Sequence, residues 1–402
     1  MKKYKYVWPH IDKKTKEAVI KQLSSGEISI YDRSGIFKSF ENIFAKTYGK
    51  KYALLTSSGT AALHTAMVAC NFQPNDEIIC PAYTFFATVT PIFQTGAIPI
   101  LCDANEDGNI DINKIEKLIT KKTKAIIITH MWGQPCQIDK IKKICQHYKL
   151  KLIEDCSHAH GARYKNKLVG SVGDVSVFSL QGQKIITGGE GGILLTDDQE
   201  IYYRSLLFGH YNKRCKQEID KKSPYHEYST TGFGLKLRAH PLAMVIANEQ
   251  FKNLSKWNKA KSKNASYLSS LLQDCKHIKL PHTDPNNKPS WYTYVIKIDS
   301  NKLKVTTEEF CNILIKRGIV DADKPGSTCP LNLLKLFQKP EFLFPQYKNL
   351  VKYKKGDFPI AENFFNNIIK LPIDVDQGKY YKNVLKKYSE IIKKTIKDFS
   401  SE

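Results

Sequence analysis

The chain has 402 residues, of which 42% are hydrophobic and 25% charged, a composition typical of a folded protein long enough for two domains. No apolar run reaches the roughly 18 residues that a membrane span needs, and no apolar signal core follows the basic N-terminus, so we expect a cytoplasmic protein that does not enter the membrane. The net charge of +23 is spread along the whole chain as lysines, which indicates a solvated surface, allows a local basic pocket for a phosphorylated small molecule, and disfavours a nucleic-acid partner.

Between residues 50 and 200, short β-rich runs alternate with helical patterns such as the helix predicted over 138–148. The predicted strands are nearly continuous in apolar residues and cover residues 52–55, 77–80, 98–101, 125–128, 150–153, 175–178 and 193–195. Repeated units of this kind predict an α/β fold with a mostly parallel, seven-stranded sheet that carries helices on both faces. The ligand of such a sheet binds at the carboxyl ends of its strands.

The pattern changes near residue 241. The elements predicted beyond it are helices over 242–272, 306–316 and 379–396 and a strand over 292–298. Thr306 and Glu309 form a capping-box pattern at the start of one helix. We therefore predict a large α/β domain over residues 1–240 and a smaller α+β domain over 241–402, with the loop 324–357 reaching back toward the site.

Lys184 lies in the most informative stretch of the chain. Small residues surround it, since the run 178–184 contains Ser179 and the run 187–192 is rich in glycine. Asp155 ends a hydrophobic strand 29 residues before the lysine. Pyridoxal 5'-phosphate chemistry needs this combination, because the lysine forms the Schiff base, the acid holds the pyridine nitrogen protonated, and small residues let the backbone approach the cofactor. The residues therefore predict a pyridoxal phosphate enzyme.

The run Ser58-Gly59-Thr60 follows the strand 52–55 and opens a helix. Free backbone N–H groups at a helix start, together with the serine and threonine hydroxyls, form a cradle for phosphate. Taken alone, the run also fits a simple helix N-cap. The neighbouring signals at Asp155 and Lys184 favour the phosphate interpretation.

Three further residues complete the predicted site. His158, three residues after Asp155, is placed to hydrogen-bond the phenolic oxygen of the cofactor, although a lone histidine is also compatible with a structural role. Phe85 follows another strand end and is predicted to stack on the pyridine ring, with core packing as the alternative. Ser179, five residues before Lys184, is a further phosphate donor.

Together these motifs resemble the DegT/DnrJ/StrS family of pyridoxal phosphate-dependent sugar aminotransferases, from about Trp8 to Pro372. The matching motifs cover residues 58–63, 81–85, 130–133, 154–162, 178–184 and 189–192. The resemblance implies the fold-type-I transferase architecture and a homodimer whose active sites are shared between subunits.

The resemblance also implies roles for the site residues. Lys184 is the Schiff-base lysine, Asp155 meets the pyridine nitrogen, and residue 158, often glutamine in the family, meets the phenolic oxygen. Phe85 stacks on the ring. The same resemblance implies that Gly59, Thr60 and Ser179 hold the phosphate.

Two departures from the family pattern are visible. The run Lys236-Leu237-Arg238 stands where the family often has Asn-Tyr-Arg, so Lys236 is predicted to reach the partner subunit's cofactor phosphate as a point charge in place of an amide. The run Pro330-Leu331-Asn332 replaces a Pro-Leu-His element near the substrate. A related branch that dehydrates keto-sugars has histidine in place of the lysine, and Lys184 argues against that branch.

The predicted function is transfer of an amino group from glutamate or glutamine to a keto-sugar, nucleotide-linked, in amino-sugar and polysaccharide biosynthesis. A keto-cyclitol is the alternative acceptor. A non-catalytic regulatory or nucleic-acid-binding descendant of the fold is the alternative of another class, and the intact Lys184, Asp155 and phosphate cradle weigh against it. Ten scattered cysteines without Cys-x-x-Cys spacing predict reduced thiols and no metal site.

Overall fold

The computed structural model describes residues 6–376 and 378–400. The basic residues 1–5, which entered the prediction that no signal sequence is present, lie outside the described residues. Within the described part of the chain, no helix combines the length and the apolarity that crossing a membrane requires.

The first half of the chain forms the sheet that the sequence predicts. Its strands are β1 Tyr52–Thr56, β2 Glu77–Pro81, β3 Tyr83–Phe85, β4 Ile98–Cys102, β5 Thr123–Thr129, β6 Lys151–Asp155, β7 Arg163–Tyr164, β8 Lys167–Leu168, β9 Val175–Ser179 and β10 Gly192–Thr196. Seven of them form one sheet in the order β1-β10-β9-β6-β5-β2-β4. Six of the seven strands run in the same direction, and β10 alone runs in the opposite direction. All seven predicted strands are confirmed, each within two residues of its predicted bounds.

Helices cover both faces of this sheet. They are α1 Lys13–Ser24, α2 Gly35–Tyr48, α3 Gly59–Ala69, α4 Thr90–Phe93, α5 Ile112–Ile115, α6 Ile138–Tyr148, α7 Gln199–Gly209 and α8 Lys213–Glu218. Alternate residues of a strand point to opposite faces. In β5, Ile126 and Ile128 therefore pack into the core beneath α2 and α6, whereas Ala125 and Ile127 pack into the core beneath α3. The predicted coverage of both faces is confirmed.

The C-terminal part contains a small antiparallel sheet and longer helices. Its elements are α9 Pro241–Phe251, α10 Leu254–Leu272, β11 Ile278–Lys279, β12 Tyr294–Ile298, α11 Ser300–Leu303, α12 Thr307–Arg317, β13 Thr328–Pro330, α13 Lys335–Gln338, α14 Pro359–Asn367, β14 Ile368–Leu371 and α15 Lys379–Phe399. The strands β11, β12 and β14 form the small sheet, which shares a core with α10, α12 and α15. The predicted α+β character of this part is confirmed.

The local predictions for this part are met with one difference. Thr306 caps α12 and forms a capping box with Glu309, as predicted. The single helix predicted over 242–272 is two helices, α9 and α10, separated by a turn at Lys252 and Asn253. Asparagine is a weak helix former that favours caps and turns, and Asn253 stands at the N-cap of α10.

The cores of the two parts overlap along the chain. Met244 and Ala247 of α9 and Leu254 and Trp257 of α10 are buried in the core of the large sheet. The core residues of the small sheet lie between Ala265 and Ile396, and several residues within that span, from Leu331 to Ile368, pack into the core of the large sheet instead. The boundary predicted at residue 240 stays a prediction.

Candidate active site

A cavity of about 540 Å³ opens beside β3 at the carboxyl ends of β5, β6 and β9, where an α/β sheet binds its ligand. Eight of the nine predicted site residues line it, namely Ser58, Gly59, Thr60, Phe85, Asp155, His158, Ser179 and Lys184. Lys236 is exposed and lies outside the lining residues of this cavity. The segment from Pro325 to Thr328 also lines the cavity, so the predicted loop does reach the site.

The start of α3 is held tightly against the end of β9. Ser58 is the N-cap of α3, and its hydroxyl accepts a hydrogen bond of 3.0 Å from the backbone N–H of Ala61. A Cβ atom on Gly59 would lie 2.6 Å from the Cβ of Ser179, so this contact requires glycine. Helix geometry leaves the first backbone N–H groups of α3, those of Gly59 and Thr60, without partners inside the helix. These donors and the Ser179 hydroxyl together form an anion cradle.

Asp155 is fixed by two hydrogen bonds at the end of β6. The residue is 4% exposed, and its carboxylate accepts from the Thr88 hydroxyl at 2.7 Å and from the backbone N–H of Ser157 at 3.0 Å. The hydroxyls of Thr84 and Thr129 continue this network. The network holds a carboxylate at the cavity wall in one orientation.

His158 lies in a stack of three rings. Its ring is 4.2 Å from the Tyr292 ring, centre to centre, and 5.3 Å from the Trp132 ring, with all three nearly parallel. Burial and the nearby ammonium of Lys184 hold the pKa of His158 well below its ordinary value, so the imidazole is neutral. Its Nδ1 is buried and has no hydrogen-bond partner among the described residues. A neutral ring with a free nitrogen suits a polar atom of a bound ligand.

Lys184 follows β9 in the loop that returns to β10. Its Nζ lies 4.7 Å from the centre of the Tyr292 ring, and its backbone N–H bonds to the carbonyl of Gln181. Burial lowers the pKa of Lys184 to about 8, although the charge of Asp155 acts in the opposite direction. About a tenth of this amine is therefore uncharged and nucleophilic at pH 7, far more than for an ordinary lysine.

The structure adds lining residues that the sequence reasoning missed. Thr88 and Trp132 come from the first half of the chain, and Trp132 lies inside the family-like motif 130–133. Tyr292, Asp323 and Lys370 come from the C-terminal part. A signal for Lys370 is present in the sequence, because it is the one charged residue of the apolar run Ile-Ile-Lys-Leu.

A second buried polar group lies next to the site. The Nε2–H of His130 donates to Glu154 at 3.1 Å, because its Nδ1 accepts from the backbone N–H of Cys136. Glu154 also accepts from the backbone N–H groups of Gly170 and Gly173. Cys156 lies close enough to complete a set of metal ligands, but the His130 and Glu154 atoms are already engaged in hydrogen bonds. This group supports the ends of β5 and β6.

The arrangement fits pyridoxal phosphate on structural grounds. The cradle at Gly59 and Ser179 offers donors to a phosphate, Asp155 offers a fixed carboxylate to a protonated ring nitrogen, and the free Nδ1 of His158 offers a polar contact. Lys184 brings an amine of lowered pKa into the same cavity.

Comparison with known proteins agrees with this geometry. The sequence profile described as the DegT/DnrJ/EryC1/StrS aminotransferase family matches residues 9–379. The spore coat polysaccharide biosynthesis protein SpsC of Bacillus subtilis (strain 168) is 31% identical over 92% of this chain and 91% of its own. The GDP-perosamine synthase of Vibrio cholerae is 29% identical over 96% of this chain and 98% of its own.

A solved structure supports the same comparison. Helicobacter pylori PseC, an aminotransferase involved in the biosynthesis of pseudoaminic acid, superposes with a TM-score of 0.82 at 26% identity. The superposition covers 99% of this chain and 100% of that chain.

Proposed function

The chain belongs to the DegT/DnrJ/EryC1/StrS aminotransferase family, and from this premise we propose that it converts a keto-sugar, nucleotide-linked, to an amino-sugar with glutamate or glutamine as donor. It is a pyridoxal 5'-phosphate-dependent aminotransferase of fold type I. The observation that carries the proposal is the convergence of Lys184, Asp155 and the start of α3 on one cavity. The Vibrio cholerae relative is a GDP-perosamine synthase, and this supports a nucleotide-linked sugar as the acceptor.

We propose that each of the predicted residues binds a particular part of the cofactor. The phosphate is assigned to the residues at the start of α3 and the end of β9, namely Ser58, Gly59, Thr60 and Ser179. Asp155 is assigned to the ring nitrogen, His158 to the phenolic oxygen, and Phe85 to one face of the ring. Bound there, pyridoxal phosphate supplies an electron-withdrawing ring that stabilises negative charge at the donor's α-carbon.

Lys184 is the proposed acid and base of the reaction. Its Nζ takes the proton from the α-carbon of the donor amino acid, and a pKa of about 8 suits a base that works near neutral pH. The hydrogen bonds from Thr88 and Ser157 hold the Asp155 carboxylate in the orientation that we assign to contact with the ring nitrogen. Tyr292 and Trp132 line the cavity and limit the access of water to the reacting atoms.

The assembly is also part of the proposal. The family resemblance implies a subunit interface at Lys236 and Arg238, and we assign Lys236 to the phosphate of the partner's site in a homodimer. Lys236 is exposed on the single chain, which is compatible with this assignment. We further propose that the enzyme acts in the cytoplasm.

The test combines spectroscopy with product analysis. Purified protein reconstituted with pyridoxal phosphate should absorb in the visible, and glutamate or glutamine should remove that absorption. Borohydride reduction and peptide mapping should place the label on Lys184 and not on Lys370, the other lysine of the cavity.

The acceptor is then identified with a panel. Keto-hexoses linked to GDP, dTDP or UDP are compared with scyllo-inosose, and the amine product is detected by mass spectrometry. Turnover of scyllo-inosose and of no keto-hexose would identify a keto-cyclitol as the acceptor, in place of a keto-sugar. Cofactor binding with no response to either donor would favour a non-catalytic descendant of the fold.

A further inference from the structure

Lys370 occupies an unusual place for a charged residue. It lies in β14 between Ile369 and Leu371, both of which are buried, while its own side chain lines the active-site cavity. Lysine is rarely placed among buried residues unless a partner or a ligand compensates its charge. The position makes a cation available to an anionic ligand on the cavity side.

The ammonium of Lys370 is held in place from two directions. Asp323 exchanges two backbone hydrogen bonds with Lys370, of 3.0 and 2.8 Å, and its carboxylate lies 2.5 Å from the Nζ. The Nζ also lies 5.5 Å from the centre of the Trp132 ring. Trp132 stacks in turn on His158, so the fixed cation adjoins the residues assigned to the cofactor.

Lys370 and Lys184 are the two cationic side chains among the described residues that line the cavity. Every amino-acid donor brings an α-carboxylate, which needs a charge-assisted partner when it leaves water. Lys184 is engaged in proton transfer under the proposed function. We propose, resting on that function, that Lys370 binds the α-carboxylate of the amino-acid donor.

Asp323 orients this cation and leaves N–H donors of the ammonium free to bind a ligand. An ammonium has three N–H donors, and the single carboxylate oxygen near Nζ takes one of them. The Asp323 side chain is 58% exposed, so solvent screens its charge. The charge of Lys370 is also felt inside the site, where it adds to burial in lowering the pKa values of Lys184 and His158.

The test follows the donor half-reaction of the holoenzyme, which needs no acceptor. Wild-type protein and the variants Lys370→Met, Asp323→Asn and Lys324→Met are mixed with L-glutamate and with L-glutamine, and the loss of visible absorption gives a second-order rate constant. Lys324 is the matched control, because it neighbours Asp323 but its Nζ lies over the Phe365 ring and outside the cavity lining. Cofactor content and circular dichroism verify that each variant is folded.

We expect Lys370→Met to lower this rate constant about 10- to 100-fold for each donor that the wild type accepts, the size of a lost hydrogen bond to a charged group. Lys324→Met should match the wild type. Asp323→Asn should keep or raise the rate constant, because it removes a carboxylate that repels the donor.

Other results would overturn the inference. A wild-type rate constant for Lys370→Met in the donor half-reaction would exclude the contact. If Lys370→Met slows only the reaction with the keto-sugar, Lys370 binds the sugar substrate instead. Equal losses in Lys370→Met and Asp323→Asn would make the ion pair structural. Wild-type holoenzyme that reacts with neither donor would instead refute the proposed function, and this inference would fall with it.

Discussion

The indole Nε1 of Trp8 donates a hydrogen bond of 2.9 Å to the backbone carbonyl of Lys184, 176 residues away in the chain. The Trp8 ring packs edge to face on Trp257 of α10, with 5.1 Å between ring centres. Two residues earlier, the backbone N–H of Tyr6 bonds to the Asp321 carboxylate at 2.7 Å. The N-terminal segment thus ties the backbone of the proposed catalytic lysine to the C-terminal part.

Trp8→Phe should weaken the positioning of Lys184 while leaving the fold intact. Phenylalanine keeps most of the packing on Trp257 but loses the donor, and a net hydrogen bond contributes about 0.5–1.5 kcal/mol. We expect a melting temperature within a few degrees of the wild type and a several-fold slower donor half-reaction. A half-reaction as fast as that of the wild type would show that the bond is dispensable for positioning.

Cofactor uptake by the apoprotein should report the lowered pKa of Lys184. An uncharged amine is needed for attack, and burial brings the pKa of Lys184 from 10.5 to about 8. A lowered lysine pKa means that the reactive form grows as pH rises through about 8, well before an ordinary lysine would respond. The rate at which visible absorption forms, measured from pH 6.5 to 10, should therefore rise and level off with a midpoint near 8. A rate that keeps rising to pH 10 would contradict this prediction.

Asp155→Asn should remove the negative charge at the end of β6 without disturbing the local structure. An asparagine side chain can still accept a hydrogen bond from Thr88 or Ser157, so the local fold should persist. The change removes the charge that keeps the ring nitrogen protonated, and each pKa unit lost there corresponds to about 1.4 kcal/mol. We expect kcat to fall at least about 10-fold with little change in the far-ultraviolet spectrum. Undiminished turnover would make Asp155 a structural residue.

Gly59→Ala should damage the phosphate cradle. The added Cβ would lie 2.6 Å from the Cβ of Ser179 and 3.0 Å from its backbone, so α3 or β9 must shift. Overpacking of this kind typically costs about 1–3 kcal/mol, and here it also displaces phosphate donors. We expect weaker retention of pyridoxal phosphate on dialysis.

Gly182→Ala is the matched control for this change. It lies in the same loop as Lys184, and its Cβ would meet no atom closer than 3.8 Å. Equal cofactor loss in the two variants would show that the effect is not specific to the contact with Ser179.

The sequence predicts the site where it is built from local motifs. Lys184, Asp155 and Gly59 each stand next to a strand end, so a parallel sheet brings them together once the strands are recognised. Tyr292 and Lys370 follow no such rule, because they reach the cavity through the packing of the small sheet on the large one. Their positions depend on contacts between residues more than 100 apart in sequence, such as that of Lys370 with Trp132. The charge of Lys370 in an apolar run marks it as unusual, but no local pattern places either residue at the cavity.

The secondary structure shows the same contrast. The capping box at Thr306 and Glu309 is a local hydrogen-bond pattern, and it predicts the start of α12 correctly. The break between α9 and α10 at Asn253 has only a weak propensity signal. Apolar spacing continues on both sides of the break, from Met244 to Leu254, so the sequence shows one helical stretch where the structure has two helices.

The predicted sharing of active sites between subunits can be tested by complementation. The segment that carries Lys236 lies beside the cradle, since the Leu237 carbonyl accepts from the backbone N–H of Ser57 at 2.7 Å, and Lys236 itself is exposed. Lys236→Ala should therefore fold normally but retain the cofactor less well, and high salt should produce a similar effect in the wild type by screening. Arg238→Ala should also impair folding, because Arg238 donates to the Ile30 carbonyl and packs over the Tyr31 ring.

Mixing Lys184→Ala with Lys236→Ala subunits tests the arrangement directly. If Lys236 serves the partner's cofactor, each mixed dimer contains one site with both lysines and one site with neither. Beyond the residual activity of the Lys236→Ala homodimers, we expect the mixture to gain up to about a quarter of the wild-type value, if random exchange makes half the molecules mixed dimers with one active site of two. If Lys236 instead serves the site of its own subunit, each site of a mixed dimer lacks one lysine and no activity returns. Subunit exchange, confirmed by mass spectrometry of differently tagged chains, without any gain in activity would refute the shared site.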